Sequence, residues 1–221
     1  MSNKPKLKST LTHGHRLHLA IEGIDGTGKS TALSNVAELL EEEGHTVSIV
    51  RYTGRIGMMG NVISSIYHRE HSSKLINTVA SYRPLQAVLY ATNGRINLAK
   101  HQRGSEVLLA DRSVLSGYAS HVGRVPNWLI DAAESTMVPD VIAYLELPLS
   151  DAAKRIGIRE DGSAGFEEDT ESLQKFSDDY ERVIANPPPR LKSTIIERID
   201  ASRNELDVAQ SIAEIALKHL S

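Results

Sequence analysis

Eight consecutive residues, Gly23-Ile24-Asp25-Gly26-Thr27-Gly28-Lys29-Ser30, set two glycines five positions apart and follow them with a lysine and a hydroxyl. The pattern is G-x-x-x-x-G-K-S, and each part of it has a use on phosphate. Glycines let backbone N–H groups turn inward around phosphate oxygens. A helix that begins inside the run adds the positive end of its dipole. Lys29 has the reach and charge for β- and γ-phosphates, and the Ser30 hydroxyl is a ligand for Mg²⁺. The chemistry predicted is the binding of a nucleoside triphosphate through Gly23, Gly26, Thr27, Gly28, Lys29, Ser30 and Thr31. The glycines run G-x-x-G-x-G, not G-x-G-x-x-G, which disfavours a nicotinamide enzyme.

Further along, Asp111-Arg112 closes a short apolar run. A carboxylate there can hold Mg²⁺ directly or through water, and an arginine there can grip a second phosphate bidentately. The plainer alternative is a surface ion pair at a strand end. Arg51 ends another apolar run, with Arg55 close behind, and no acidic residue stands between Val47 and Gly60. That stretch suits an anionic acceptor, whose repulsion from the donor must be offset by positive charge. A hydroxyl acceptor would benefit from a carboxylate base instead, and Asp25 is the residue of that type nearby. Tyr82 and Tyr90 suit either stacking on a base or packing between helices. Gln86 suits either reading a base edge or a solvated helix position.

The elements that must position these groups follow from periodicity. Leu17–Ile21, Thr46–Tyr52, Glu106–Asp111, Val141–Leu147 and Thr194–Asp200 are short apolar runs expected as strands. Between them, Lys29–Glu43 carries Leu33, Val36, Ala37 and Leu40 at helical spacing, with Gly44 as its stop. Pro84 opens a second helix expected to run to about Gln102. Ser150 is placed to cap a helix bearing Lys154 and Arg155. Thr170–Ala185 is helical until Asn186 and Pro187–Pro189. Ser202 and Glu205 have capping-box spacing before a final helix. Trp128, after Pro126, is read as a packing residue near a helix start. Strands alternating with helices, and strands without polar alternation, predict an α/β fold: a five-stranded parallel sheet with helices on both faces.

The chain has 221 residues, enough for one domain, with 25 basic and 28 acidic side chains and a formal charge of −3. No global basic field exists to hold nucleic acid or an anionic membrane, so an anion must be gripped locally. The absence of cysteine excludes disulfides, thiolate zinc sites, iron–sulfur clusters and a cysteine nucleophile. No apolar run approaches the 18 residues of a membrane span. Residues 1–16 are basic and polar without an apolar stretch, and are expected to be a disordered tail of a cytosolic protein, ahead of a single domain over 17–221. His13 and His15 flank Gly14 in that tail and are not read as metal ligands. The charged stretch Arg159–Asp169, with two glycines, is a lid candidate or an ordinary surface loop.

The chain resembles the thymidylate kinases, P-loop nucleoside monophosphate kinases. The resemblance rests on Glu22-Gly23-Ile24-Asp25-Gly26-Thr27-Gly28-Lys29-Ser30-Thr31, Asp111-Arg112 with Ser116 and Ala119, Pro139-Asp140, Lys154-Arg155 with Arg159, and Ile199-Asp200-Ala201-Ser202, in the family's order from about Leu17 to Leu220. It implies a three-layer P-loop NTPase fold, a lid at about 155–169, and ATP- and Mg²⁺-dependent phosphorylation of a nucleotide, thymidine monophosphate first among them. It also implies a homodimer packed through helices.

By position, Asp25 would face the acceptor sugar and Arg112 would hold the acceptor phosphate. Ser116 would join the acceptor pocket, as would Arg95, one residue past Gly94, where the family's helix arginine aligns. Arg155 and Arg159 would close over ATP, and Ser202 would lie near adenine. Gly26 stands where some members carry an arginine, so the transition-state arginine is expected from the lid. Departures gather on the acceptor side: Arg51-Tyr52-Thr53-Gly54 replaces Arg-Glu-Pro-Gly, and Ser113 replaces a tyrosine. Asp111-Arg112-Ser113 also leans toward deoxynucleoside kinases. Two further readings are a nucleoside or small-metabolite kinase on the same scaffold, and a nucleotide-binding switch. The common guanine-reading N-K-x-D of switch GTPases does not occur.

Overall fold

The computed structural model describes residues 17–52, 84–85, 87–89, 91–92, 105–133, 138–157 and 170–221. Arg55, Tyr82, Gln86, Tyr90, Arg95 and Arg159, the tail at 1–16, most of the helix expected after Pro84 and residues 158–169 of the expected lid lie outside them.

Among the described residues, five strands alternate with helices. They are β1 (Leu17–Glu22), β2 (Val47–Arg51), β3 (Val107–Asp111), β4 (Val141–Glu146) and β5 (Ile195–Asp200). Each agrees with its expected range to within one residue at either end. All pairings are parallel, in the order β2-β3-β1-β4-β5. The helices are α1 (Lys29–Glu42), α2 (Val114–His121), α3 (Asn127–Ala133), α4 (Leu149–Gly157), α5 (Thr170–Ala185) and α6 (Glu205–Leu220). Among the described residues no helix is long and apolar enough to cross a membrane.

The strands read as continuous apolar runs because both faces of the sheet are covered. Leu17, Leu19, Ile21, Leu109 and Ala143 face one layer, where they meet Leu33, Val36 and Leu40 of α1 and Val208 and Ile212 of α6. Ala20, Leu108, Ala110, Ile142 and Tyr144 face the other, against Leu115 and Tyr118 of α2 and Leu173 and Tyr180 of α5. This is the three-layer α/β fold expected.

The order puts β1 at the centre, between β3 and β4, so the chain leaves β1 at the crevice where the strand order reverses. Register fixes the neighbours: Ile21 pairs with Asp111, and Asp111 with Arg51. The cradle and Asp111-Arg112 are therefore side by side at the carboxyl edge of the sheet.

Three local expectations need correction. Asn204, not Ser202, caps α6, accepting from the Leu206 N–H at 2.9 Å. Ser202 is drawn away by Asp200, whose Oδ1 takes its N–H at 2.9 Å and its hydroxyl at 2.6 Å. Ser150 lies inside the first turn of α4, where the Pro148 carbonyl accepts from the N–H groups of Asp151 and Ala152 instead. Trp128 is 68% exposed, and Ile130 carries the inward face of α3.

Candidate active site

The cradle between β1 and α1 keeps three glycines at positive φ: Gly23 at 143°, Gly26 at 84° and Gly28 at 88°. A side chain would be strained at each. Two of them also have no space for one. A Cβ on Gly23 would lie 2.8 Å from the Leu145 carbonyl oxygen, and one on Gly26 would lie 2.5 Å from that of Ala152. The loop is thus wedged between the end of β4 and the first turn of α4. No side chain caps α1, which leaves its first-turn N–H groups to an anion. Thr27 is buried and donates its hydroxyl to the Ile24 carbonyl at 2.9 Å, which ties the loop to itself.

Lys29 is buried and donates through Nζ to the same Ile24 carbonyl at 2.7 Å, with Asp25 Oδ1 at 3.5 Å. Its ammonium is held in the loop by dipole and charge, where a triphosphate would meet it. Ser30 and Thr31 are exposed on the first turn of α1. Oxygen donors at this edge include the Ser30 hydroxyl and the Asp111 carboxylate, both hard ligands that fit Mg²⁺. Arg51 Nε lies 3.9 Å from Asp111 Oδ2, with the Arg51 side chain mostly exposed.

Arg112 stands at the corner between β3 and α2 with φ of 69°, the left-handed region for a non-glycine residue. Such strain persists where surrounding contacts over-determine it, and here they do. The Arg112 N–H donates to the Ile21 carbonyl at 3.1 Å. Its guanidinium pairs with Asp25 Oδ1 through Nη2 and donates through Nη1 to the Tyr180 hydroxyl at 3.1 Å and the Gly23 carbonyl at 3.4 Å. The Phe176 ring lies below it, 5.9 Å from centroid to Cζ.

Beneath this corner Glu22 is fully buried. A buried carboxylate must be heavily hydrogen-bonded. Its Oε1 accepts from Ser113 N at 2.6 Å, Ser113 Oγ at 2.7 Å and Ser116 N at 3.2 Å. Its Oε2 accepts from Ser116 Oγ at 2.6 Å and Tyr180 Oη at 2.8 Å. Ser113 also caps α2. One carboxylate therefore joins β1, the start of α2 and the middle of α5.

On the opposite flank of the cradle, Arg155 of α4 approaches Gly28 and donates to the Ala201 carbonyl at 3.2 Å. Gly28, Thr31, Arg155, Ala201, Arg203 and Val208 line a small hollow there. Ser202 turns to Asp200, and those hydrogen bonds hold the Asp200 carboxyl below its usual range. A larger hollow between β4, β5 and α5 is lined by Glu146, Glu181 and Asp200, an environment that repels phosphate. Beside it Arg198 bridges Glu146 and Glu181, and these bonds push its guanidinium above its ordinary value.

The structure thus brings Asp25, Lys29, Asp111, Arg112 and Ser116 to one edge of the sheet, with Arg155 across the cradle. Sequence reasoning gave no role to Glu22, Ser113, Phe176 or Tyr180. The available signal was Glu22 itself, a carboxylate closing an apolar central strand that needs buried donors from elsewhere.

Comparison with known proteins agrees with this geometry. A family model described as thymidylate kinase matches residues 21–212. A probable thymidylate kinase of Methanosphaera stadtmanae is 28% identical over 212 residues, 92% of this chain and 99% of the relative. A thymidylate kinase of Bacillus pumilus is 28% identical over 214 residues, 90% of this chain and 94% of its own. The thymidylate kinase of Homo sapiens is 29% identical over 147 residues, 62% of this chain and 64% of its own. With the match running from the cradle strand into the last helix, this chain belongs to the thymidylate kinase family.

Proposed function

We propose that this protein transfers the γ-phosphoryl group of ATP to thymidine monophosphate, giving ADP and thymidine diphosphate. The observation that carries the reading is the shared position of Asp25. It lies in the cradle, near Lys29, and pairs with Arg112, the cation that this reading assigns to the acceptor phosphate. Family membership supports the same assignment.

Phosphoryl transfer has a loose transition state with charge spread over the equatorial oxygens, so positioning and electrostatics dominate. In this reading the cradle amides and Lys29 take the donor phosphates. Arg112 takes the acceptor phosphate and offsets repulsion between the two anions. Asp25 holds both cations in place and faces the acceptor sugar. Arg51 and Ser116 border the acceptor, with Arg55, Gln86, Tyr90 and Arg95 completing its pocket. Arg155 and Arg159 supply charge from the lid over 155–169, and Ala201-Ser202-Arg203 border adenine. Ser30, with support from Asp111, would hold Mg²⁺, which would supply charge neutralisation at the phosphates. The resemblance further supports a cytoplasmic homodimer packed through helices.

An ADP-release assay over a panel of nucleoside monophosphates and nucleosides, with and without Mg²⁺, tests the reading. Turnover is expected with thymidine monophosphate and only with Mg²⁺. Turnover confined to nucleosides, or ADP release independent of any acceptor, would replace it with a nucleoside kinase or a hydrolysing switch.

A further inference from the structure

Tyr180 belongs to neither the cradle nor the Asp111-Arg112 corner. It comes from the middle of α5, and its ring is fully buried. Its hydroxyl is where two parts of the site meet. On one side lies Glu22 Oε2 at 2.8 Å, on the other Arg112 Nη1 at 3.1 Å, with Ser116 Oγ at 2.9 Å. Arginine can only donate, and an ionised carboxylate can only accept. The phenol therefore gives its proton toward Glu22 and accepts from Arg112. Donation to a buried anion polarises the O–H bond and makes the oxygen a better acceptor. The negative charge of Glu22 is thereby passed to the guanidinium without direct contact between them.

The rest of α5 supports the same contact. Phe176, one turn earlier, lies under the guanidinium and against the Tyr180 ring, with ring centroids 4.8 Å apart at 66°. Tyr144 of β4 stands on another side, 5.3 Å away. The phenol is thus fixed at both ring and hydroxyl. Arg112 needs such fixing: its backbone is strained, and a planar fork recognises phosphate only in the right plane.

We propose that Tyr180 is a positioning residue for the acceptor: relayed to Glu22, its hydroxyl sets the plane of the Arg112 guanidinium for the phosphate of the incoming monophosphate. The inference rests on the proposed function and deepens it. Asp25 and Tyr180 grip different nitrogens of Arg112, Nη2 and Nη1. Losing the hydroxyl leaves the ion pair with Asp25 in place and only the longer 3.4 Å bond to the Gly23 carbonyl on Nη1, so the plane of the guanidinium is less tightly set.

The test is Tyr180→Phe, assayed with thymidine monophosphate varied at saturating Mg–ATP and then with ATP varied. A hydrogen bond to a charged group corresponds to about tenfold in binding, so the acceptor KM should rise about tenfold. The ATP KM and kcat should stay within about twofold. In an Arg112→Lys background, which lacks the fork, the same change should add less than about twofold to the acceptor KM. Equal losses for donor and acceptor, or an undiminished tenfold effect in that background, would reduce Tyr180 to a structural residue and overturn the proposal. Should Tyr180→Phe fail to fold, Phe176→Leu serves instead. It should raise the acceptor KM about threefold with the ATP KM unchanged, and no selective rise would overturn the proposal. Wild-type inactivity on every monophosphate would overturn the underlying function, and is seen without any variant.

Discussion

The Asp25 carboxylate is paired with the Arg112 guanidinium and lies 3.5 Å from Lys29 Nζ, between cations that follow different strands, β3 and β1. Asp25 and Lys29 belong to one loop, while Arg112 arrives 87 residues later. One negative charge thus sets the spacing of the groups expected to receive the two substrates. Asp25→Asn keeps the size and removes the charge. Because small misplacement of reacting groups costs about 10² in rate, kcat/KM for the acceptor should fall by about that factor. Steady-state kinetics with each substrate varied checks this, and unchanged kcat/KM would remove Asp25 from the site.

Gly26 leads to the second prediction. A methyl group there would collide with the Ala152 carbonyl, and the backbone is at φ 84°. Gly26→Ala should cost about 1–3 kcal/mol in stability and abolish measurable ATP binding. Thermal unfolding and calorimetric titration with Mg–ATP read the two effects separately. Gly44 is a control, since its φ of 88° is close to that of Gly26 but it has open space around it. Gly44→Ala should destabilise without touching ATP affinity.

Arg155 is the lid-side arginine whose position is described, tied to the Ala201 carbonyl beside the cradle. A supplied arginine is worth about 10³–10⁵ in comparable transfers, and Arg155 shares the role with Arg159 in the proposed function. Arg155→Ala should therefore lower kcat by about 10² or more, with ATP affinity nearly unchanged. Arg159→Ala assayed in parallel apportions the role, and full turnover in either variant would remove that residue.

Glu22 should dominate stability around the corner. Glu22→Ala would leave the hydroxyls of Ser113, Ser116 and Tyr180 and two N–H groups without their buried acceptor. Each such loss costs on the order of 1–3 kcal/mol, so the variant should lose about 3 kcal/mol or more. Urea unfolding measures it, and a loss below 1 kcal/mol would refute the network.

Asp140 gives a pH dependence. Burial raises its carboxyl above the usual value, opposed by the His18 N–H, which it accepts at 2.8 Å, and by the charge of His219. A raised folded-state value favours the protonated form in the folded chain. Its contribution is fully present below the unfolded value near 3.8 and is lost as pH rises through the folded value. The stability of the wild type relative to Asp140→Asn should thus be greatest in acid and fall as pH rises. Urea titrations between pH 3 and 7 check this, and a difference that grows with pH would reverse the assignment.

The layers and the cradle were legible because they are written locally. The run Leu17–Glu22 has no alternation, since α1 and α6 cover one face and α2 and α5 the other. The Gly23–Ser30 pattern carries its own geometry. What stayed hidden was set by distant partners. Glu22 is satisfied by residues 91 to 158 positions away, so no local signal could name its donors. Ser202 had the capping-box spacing for α6, but the Asp200 carboxylate engages the serine and Asn204 caps the helix instead. The left-handed turn at Arg112 has no glycine to announce it and exists because β3, Asp25 and α5 hold it there.

The exposure of Trp128 has a practical consequence. It is the sole tryptophan of the chain, and it stands 68% exposed on α3, outside both apolar layers. Its emission in the native protein should already lie near that of indole in water, so a fluorescence melt would register little red shift as the core comes apart. Circular dichroism is the better optical signal for denaturation. The indole is instead suited to reporting whatever comes to rest on that outer helix, as a blue shift.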